Sequence, residues 1–216
     1  MHCPFNNKNC KKKNQKIFLD LGKLPRVDVL LSKQDLKKKE TTKPLKIYFC
    51  KKCFLVQHPA YTDPKDIFVD DYIYYSSTVS SWVEHCQEFV NQSIKRFSLS
   101  QKSFVIEVAS NDGYLLQNFV KKNIPCLGVE PSTGVIKEAK KKGVKTINDF
   151  YNLASSKKII KSYPRADLII ANNVSAHIPN LKDFIESSLL LLKEDGVITV
   201  EVPHLLNLIK KKQLKI

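Results

Sequence analysis

Glycine is scarce in this chain, with six residues in 216, and no three of them fall into a G-x-G-x-x-G pattern. The glycine-rich turn that lets backbone close on a pyrophosphate is missing, so a nucleoside ligand without phosphates is favoured over a dinucleotide. Arginine is scarce too: lysine supplies nearly all of the 36 basic residues, and no aromatic-plus-arginine recognition helix is apparent. Specific nucleic-acid readout is therefore not expected. No apolar run approaches the ~20 residues needed to cross a bilayer, and no apolar signal segment opens the chain. The expectation is a cytoplasmic protein with no membrane contact, in a reducing compartment where cysteines ligate metal rather than form disulfides.

Acidic residues number only 21, leaving a net charge of +15. Residues 1–60 hold 15 Lys and Arg against 4 Asp and Glu, so +11 of that total sits there. A basic zinc module holding phosphates electrostatically is one reading of this segment. Residue bias is the plainer one, with lysines forming a solvated face that also attracts a diphosphate. The length and 43% hydrophobic content support one principal domain with a small appendage.

The richest stretch runs Val105-Ile-Glu-Val-Ala-Ser-Asn-Asp-Gly-Tyr-Leu115. Phe104 to Val108 reads as a buried strand, Ala109 to Gly113 as the turn at its carboxyl end, and Tyr114 to Lys122 as a helix. Ligands of open α/β sheets sit at that edge. Asp112 can accept hydrogen bonds there, while Ala109, Ser110 and Gly113 permit close backbone approach. Seventeen residues after Gly113 a second apolar strand ends on Glu130, followed by Pro131. An acidic residue at that spacing is placed to grip two ribose hydroxyls, which suits S-adenosylmethionine.

A third strand, Ala166 to Ala171, opens into Asn172 and Asn173. A helix from about Leu181 to Lys193, closed by Asp195-Gly196, precedes a fourth strand, Gly196 to Pro203. Alternating strand and helix argue for a parallel, doubly wound sheet. Ahead of these, a helix is expected from Ser80 to Phe97, capped by Ser80 or Ser81 with Glu84 near its first turn, and packed through Trp82, Phe89 and Phe97.

Cys50-Lys-Lys-Cys53 forms a C-x-x-C knuckle, with Cys3 and Cys10 some forty residues upstream. Four thiolates close a tetrahedral zinc site, which would stabilise a segment with little apolar surface to bury. A redox pair is the alternative, and no thioredoxin-like context surrounds it. Cys86 and Cys126, without paired spacing, read as small buried apolar residues.

Together VIEVASNDGYLLQNF, LGVEPS, ADLIIANNVSAHIPN and VITVEVPHL resemble the S-adenosylmethionine-dependent sugar C-methyltransferases. The resemblance implies an α/β fold: a Rossmann-like methyltransferase sheet preceded by a small zinc-binding domain. The expected division is 1–70 for zinc, 71–100 for a connecting segment and helix, 101–204 for the S-adenosylmethionine-binding domain, and 205–216 for a basic tail. It implies a cofactor set of Glu107, Ala109, Ser110, Asn111, Asp112, Gly113, Glu130, Pro131, Asp149, Phe150, Asn172 and Asn173. Within that set Asp149 and Phe150 face adenine, and the two asparagines contact the methionine portion or shape their loop. Tyr72 and Tyr74 carry a cofactor or substrate role, and His177 either takes part in chemistry or fixes its loop. Zinc is structural, on Cys3, Cys10, Cys50 and Cys53, although family members show C-x-x-C where this chain has Cys3 and Cys10.

The implied reaction is carbon methylation beside a ketone of a nucleotide-linked deoxysugar. The resemblance stops after Pro203-His-Leu205. The family's Tyr, Glu and His cluster, its last strands and its sugar-binding domain are not found, so the sheet is expected to be incomplete at its carboxyl-terminal end. Three classes follow: a shortened enzyme or one completed by a second chain, a noncatalytic remnant that binds zinc and S-adenosylmethionine, and a basic zinc module.

Overall fold

The architecture is that of a computed structural model, which describes residues 14–25, 31–68 and 72–211. The described residues divide into two units, one ending at Ile67 and one beginning at Phe68.

The first unit is a three-stranded antiparallel sheet in the order β1 (Gln15–Pro25), β2 (Thr42–Cys50), β3 (Val56–Gln57). A short helix α1 (Pro64–Ile67) follows. Ile17 and Phe18 of β1 are exposed, and Cys50 is the single buried apolar residue among the described residues of this unit, with Cys53 and Leu55 against it. So small a core cannot by itself offset the conformational entropy of ordering the strands.

The second unit begins with helix α2 (Ser80–Arg96) and then alternates: β4 (Val105–Val108), α3 (Gln117–Val120), β5 (Cys126–Glu130), α4 (Thr133–Lys141), β6 (Thr146–Asn148), α5 (Leu153–Ser162), β7 (Ala166–Asn172), α6 (Leu181–Leu191), β8 (Leu192–Glu201), α7 (Leu205–Lys210). The strands order as β6-β5-β4-β7-β8, every pair parallel. The chain steps outward from β4 to β6, then returns to lay β7 on the other side of β4. That reversal opens a crevice at the carboxyl ends of β4 and β7. Alternation along β4 splits the core. Val105 packs with Cys86, Val90, Leu115, Phe119 and Leu168 on one face, Ile106 and Val108 with Leu127, Val129, Ile159 and Ile169 on the other.

Several local expectations are corrected. The helix after the first turn is only α3, and Tyr114 to Leu116 form turns. The side-chain amides of Gln117 and Asn118 donate to the carbonyls of Tyr114 and Leu115, and Asn118 and Phe119 N–H bond three residues back, which tightens the segment away from α-geometry. Neither Ser80 nor Ser81 caps α2. Both lie inside it; the N-cap is Val79, whose carbonyl takes the N–H of Trp82 and Val83, and Glu84 falls beyond the first turn. Helix α6 ends at Leu191, not Lys193. Arg165 Nη1 donates to the carbonyls of Leu190 and Leu192 at 2.8 and 3.0 Å, and β8 starts at once. Gly196 is therefore a strand residue rather than a helix terminator, and a Cβ there would lie 2.8 Å from the Ala166 carbonyl.

Gly128 of β5 is the other close approach: an added Cβ would meet Ser110 Oγ at 2.2 Å and Ser110 Cβ at 2.8 Å. Gly128→Ala should lower unfolding free energy by about 1–3 kcal/mol, the usual cost of overpacking, read as a reduced urea midpoint. An unchanged midpoint would show that the turn yields freely.

Candidate functional site

At the carboxyl end of β4 the backbone turns sharply. Ala109 and Asn111 have φ of 55° and 49°, and Gly113 has 75°. Two non-glycine residues in the left-handed region within one five-residue turn mark a conformation that the surroundings enforce. The enforcing contact is Glu130. Its Oε2 accepts the Asn111 N–H and its Oε1 the Ser132 N–H, each at 3.0 Å. Burial pushes the Glu130 pKa up, and the N–H groups of Ser132 and Asn111 pull it back. Each carboxylate oxygen keeps acceptor capacity beyond the bond it makes, as a ribose diol requires. Pro131 follows, its carbonyl taking the Asn148 side-chain amide at 2.7 Å.

Asp112 is buried beside this carboxylate. Lys142, just past α4, donates to its Oδ2 at 3.0 Å, the Ser77 hydroxyl donates to the same oxygen, and Oδ1 is buried without a hydrogen-bond partner. Gly113 packs against α4 and the residues after it: a Cβ would meet Ala139 Cα at 3.2 Å and Val144 Cγ2 at 3.0 Å. Ser110 Oγ is likewise buried and unpartnered.

The segment ahead of α2 lies on this turn. Ser76 N–H donates to Asn111 Oδ1 at 2.9 Å, and Asn111 Nδ2 to the Tyr74 carbonyl at 3.0 Å. The rings of Tyr72 and Tyr74 stand 6.5 Å apart, Phe68 lies 5.3 Å from Tyr72, and Phe68 meets Phe150 at 6.4 Å. Phe150 follows β6, so an aromatic row links it to the tyrosines. Asp149 next to it accepts its neighbour's N–H and the Lys158 ammonium.

At the end of β7, both polar atoms of the Asn172 side chain are buried without hydrogen-bond partners. Asn173 (φ 54°) donates its N–H to the Glu201 carbonyl at 2.7 Å and its side-chain amide to Glu201 Oε1 at 3.2 Å, which shapes the loop. His177 ends an exposed 3-10 turn, Ser175–His177.

In the first unit, Cys50 and Cys53 sit on a tight knuckle. Phe54 N–H bonds the Cys50 carbonyl, Cys50 N–H bonds the Leu55 carbonyl, and Phe54 takes φ 61°. Two thiols are thus presented together, one buried and one half-buried. Cys3 and Cys10 lie outside the described residues, and among the described residues no group of three or more metal-ligating side chains gathers.

A family model described as "Methyltransferase domain" matches residues 82–214. The chain belongs to that family. A second model, described as "Putative zinc binding domain", matches residues 8–68. Among curated proteins the chain is similar to C-methyltransferase NovU of Streptomyces niveus, 29% identical over 195 residues, covering 90% of this chain and 46% of that one. The chain therefore spans about half the length of the relative. Solved structures with a similar fold include an S-adenosylmethionine-dependent methyltransferase from Clostridium acetobutylicum, 20% identical, TM-score 0.45, covering 57% of this chain and 51% of that one. DesVI of Streptomyces venezuelae is another, 17% identical, TM-score 0.45, covering 65% and 58%.

Within the methyltransferase domain, the turn residues Ala109 to Gly113 share one strand edge with Glu130, Pro131, Asn172 and Asn173, and Phe150 shares an aromatic row with Tyr72 and Tyr74. Sequence reasoning missed Lys142, Ser76 and Ser77. Lys142 belongs to a lysine run without distinguishing neighbours, and the serines carry no signal until the chain folds back. Cys86 is buried and Cys126 half-buried, and burial pushes both thiols up to about 12.

Glu107 faces the α2 side of β4, fully buried, with neither oxygen in a well-formed hydrogen bond. Desolvation pushes its pKa well above the ordinary value of 4.5; the Tyr114 hydroxyl opposes this, and Glu130 and Asp112 reinforce it. A carboxyl with a raised folded-state pKa binds a proton more tightly in the folded chain, so stability falls as pH rises from the unfolded pKa through the folded one. Glu107→Gln should remove that loss, so urea midpoints should fall less between pH 5 and pH 8 than in the wild type. Parallel pH profiles would show that Glu107 stays charged.

Proposed function

We propose that this chain is the donor-binding part of an S-adenosylmethionine-dependent C-methyltransferase acting on a nucleotide-linked ketodeoxysugar. The observation that carries the reading is Glu130, a buried carboxylate at the end of β5, bonded to the backbone of a strained turn at the end of β4. Glu130 would hold the ribose diol. Phe150 would cover adenine, with Asp149 accepting from its amino group. The unpartnered Asp112 Oδ1 and Asn172 amide would satisfy the methionine portion. Buried polar atoms without partners are costly, and a polar ligand relieves that cost.

When bound, the sulfonium supplies an electrophilic methyl group to a carbon acidified by its neighbouring carbonyl. The protein aligns the partners and excludes water. The Tyr72–Ser77 segment, hydrogen-bonded to Asn111 and Asp112, would cover the donor, and His177, on the loop after β7, would face the acceptor. The lysine-rich surface would attract the sugar's diphosphate. The reading places the protein in the cytoplasm; no helix among the described residues is long and apolar enough to cross a membrane. The edge strand β8 exposes Val200, and a second chain would cover it.

Glu130→Ala should weaken S-adenosylmethionine binding about 10–100-fold, the equivalent of losing charge-assisted hydrogen bonds, by calorimetric titration. Unchanged affinity in a folded variant would remove the ribose assignment, and no binding by the wild type would remove the donor site.

The zinc reading rests on the Cys50–Cys53 knuckle, with Cys3 and Cys10 as the remaining thiolates. Zinc would cross-link a unit whose described residues bury almost no apolar surface. Native mass spectrometry should find about one zinc per chain, lost in Cys53→Ser together with the first unit's protease resistance. A metal-free chain of equal resistance would defeat the claim.

A further inference from the structure

We propose that Asp112 and Lys142 form a paired site for the α-amino acid end of the methyl donor, Asp112 Oδ1 taking its ammonium and Lys142 its carboxylate; this rests on the donor-binding reading above. The turn that carries Asp112 stands at the carboxyl end of β4, and its neighbour Asn111 is held by Glu130. Lys142 Nζ lies 3.0 Å from Asp112 Oδ2, with the aspartate side chain 2% exposed and the lysine 24%. The Ser77 hydroxyl donates to the same oxygen. Two donors fill the lone pairs of Oδ2 and fix the plane of the carboxylate. That leaves Oδ1 buried without a hydrogen-bond partner.

Lys142 closes a run of three lysines, and the residue before it shows what an ordinary member of the run does. Lys141 pairs with Glu138 one turn back along α4, both in solvent at 71% and 40% exposure. Lys142 instead turns inward to a residue thirty positions earlier. The carbonyls at the end of α4 already attract a cation there, so the helix does not require the inward turn. Attraction within a buried ion pair seldom offsets the desolvation of its members, least of all when one oxygen stays unbonded. Stability of the fold does not account for the arrangement.

An ammonium has three donors, and Lys142 uses one on Asp112, with no acceptor for the others among the described residues. The pair thus offers an open acceptor oxygen beside a cation with unused N–H groups. An α-amino acid presents the reverse, a cation and an anion on one carbon, so the two dock head to tail. A ligand with only one of these charges fills half of the site. Ser77 belongs to the segment that Asn111 holds through the Tyr74 carbonyl and the Ser76 N–H. The pair therefore lies on the side of the turn which that segment crosses, and Ser77 acts as a positioning residue.

The test is calorimetric titration of the zinc-replete full chain with S-adenosylhomocysteine and two analogues of it, one decarboxylated and one lacking the amino group. The wild type should bind S-adenosylhomocysteine about 10–100-fold more tightly than either analogue, the equivalent of a charge-assisted hydrogen bond. Lys142→Met should weaken S-adenosylhomocysteine by that factor and leave the decarboxylated analogue unchanged, while Lys142→Arg keeps the wild-type preference. Asp112→Asn should lose the preference for the amino group. Equal weakening of all three ligands in Lys142→Met overturns the proposal, because the lysine then only supports the turn. Wild-type affinity of Lys142→Met for S-adenosylhomocysteine overturns it too, as does an amino preference that survives in Asp112→Asn. A wild type that binds the decarboxylated analogue as tightly as S-adenosylhomocysteine overturns it without any variant, so the outcome does not hang on whether Lys142→Met folds. A wild type that binds none of the three removes the donor site itself, and the pair with it.

Discussion

Glu130 carries a carboxylate into a place almost closed to water, held there by two backbone N–H groups on opposite sides of it, from Asn111 and Ser132. Ser132 is the N-cap position of α4 and Asn111 the left-handed centre of the first turn, so one side chain joins a turn, a strand end and a helix start. Hydrogen bonds to an ionised acceptor are about twice as strong as neutral ones, which is what a strained backbone needs to persist. Much of the site is arranged around that turn: Asp112 meets Lys142, and Asn111 presents its amide to the Tyr74–Ser76 backbone.

The same arrangement leaves buried polar atoms with too few partners. Asp112 Oδ1, Ser110 Oγ and the Asn172 amide gather at strand ends that bound the crevice. Glu107 lies one strand position before Val108 and cannot ionise without cost. A core selected for stability alone would not collect these groups, since each unpartnered polar atom is destabilising. Their concentration at the β4–β7 switch point is the physical mark of a binding edge.

The two units rest on different forces. The methyltransferase domain sandwiches its sheet between two apolar clusters that each include fully buried strand residues. The first unit buries Cys50 and little else among its described residues, while carrying much of the chain's positive charge. Antiparallel pairing supplies its hydrogen bonds, but burial does not supply the driving force. A cross-link through thiolates is the kind of interaction that closes such a deficit.

Periodicity and turn chemistry made much of this legible beforehand. Four of the five strands of the parallel sheet, their order along the chain, and the acidic strand end at Glu130 follow from apolar runs broken by small polar residues, because buried parallel strands must be apolar on both faces. The short strand β6 and helices α4 and α5 were not legible: Thr146-Ile-Asn148 is too brief for a pattern, and lysine fills much of both helices. Local competition was also hidden, so Gln117 and Asn118 turned an expected helix into turns, and Arg165 ended α6 early. The chain by itself determined which residue types reach the carboxyl edge, since that depends on spacing of one or two tens of residues. Only tertiary structure decided which distant groups meet them: Ser77 and Lys142 on Asp112, His85 on Glu201 across 116 positions. Such pairs lie on opposite sides of strand crossovers, where no local pattern connects them and only packing sets the distance.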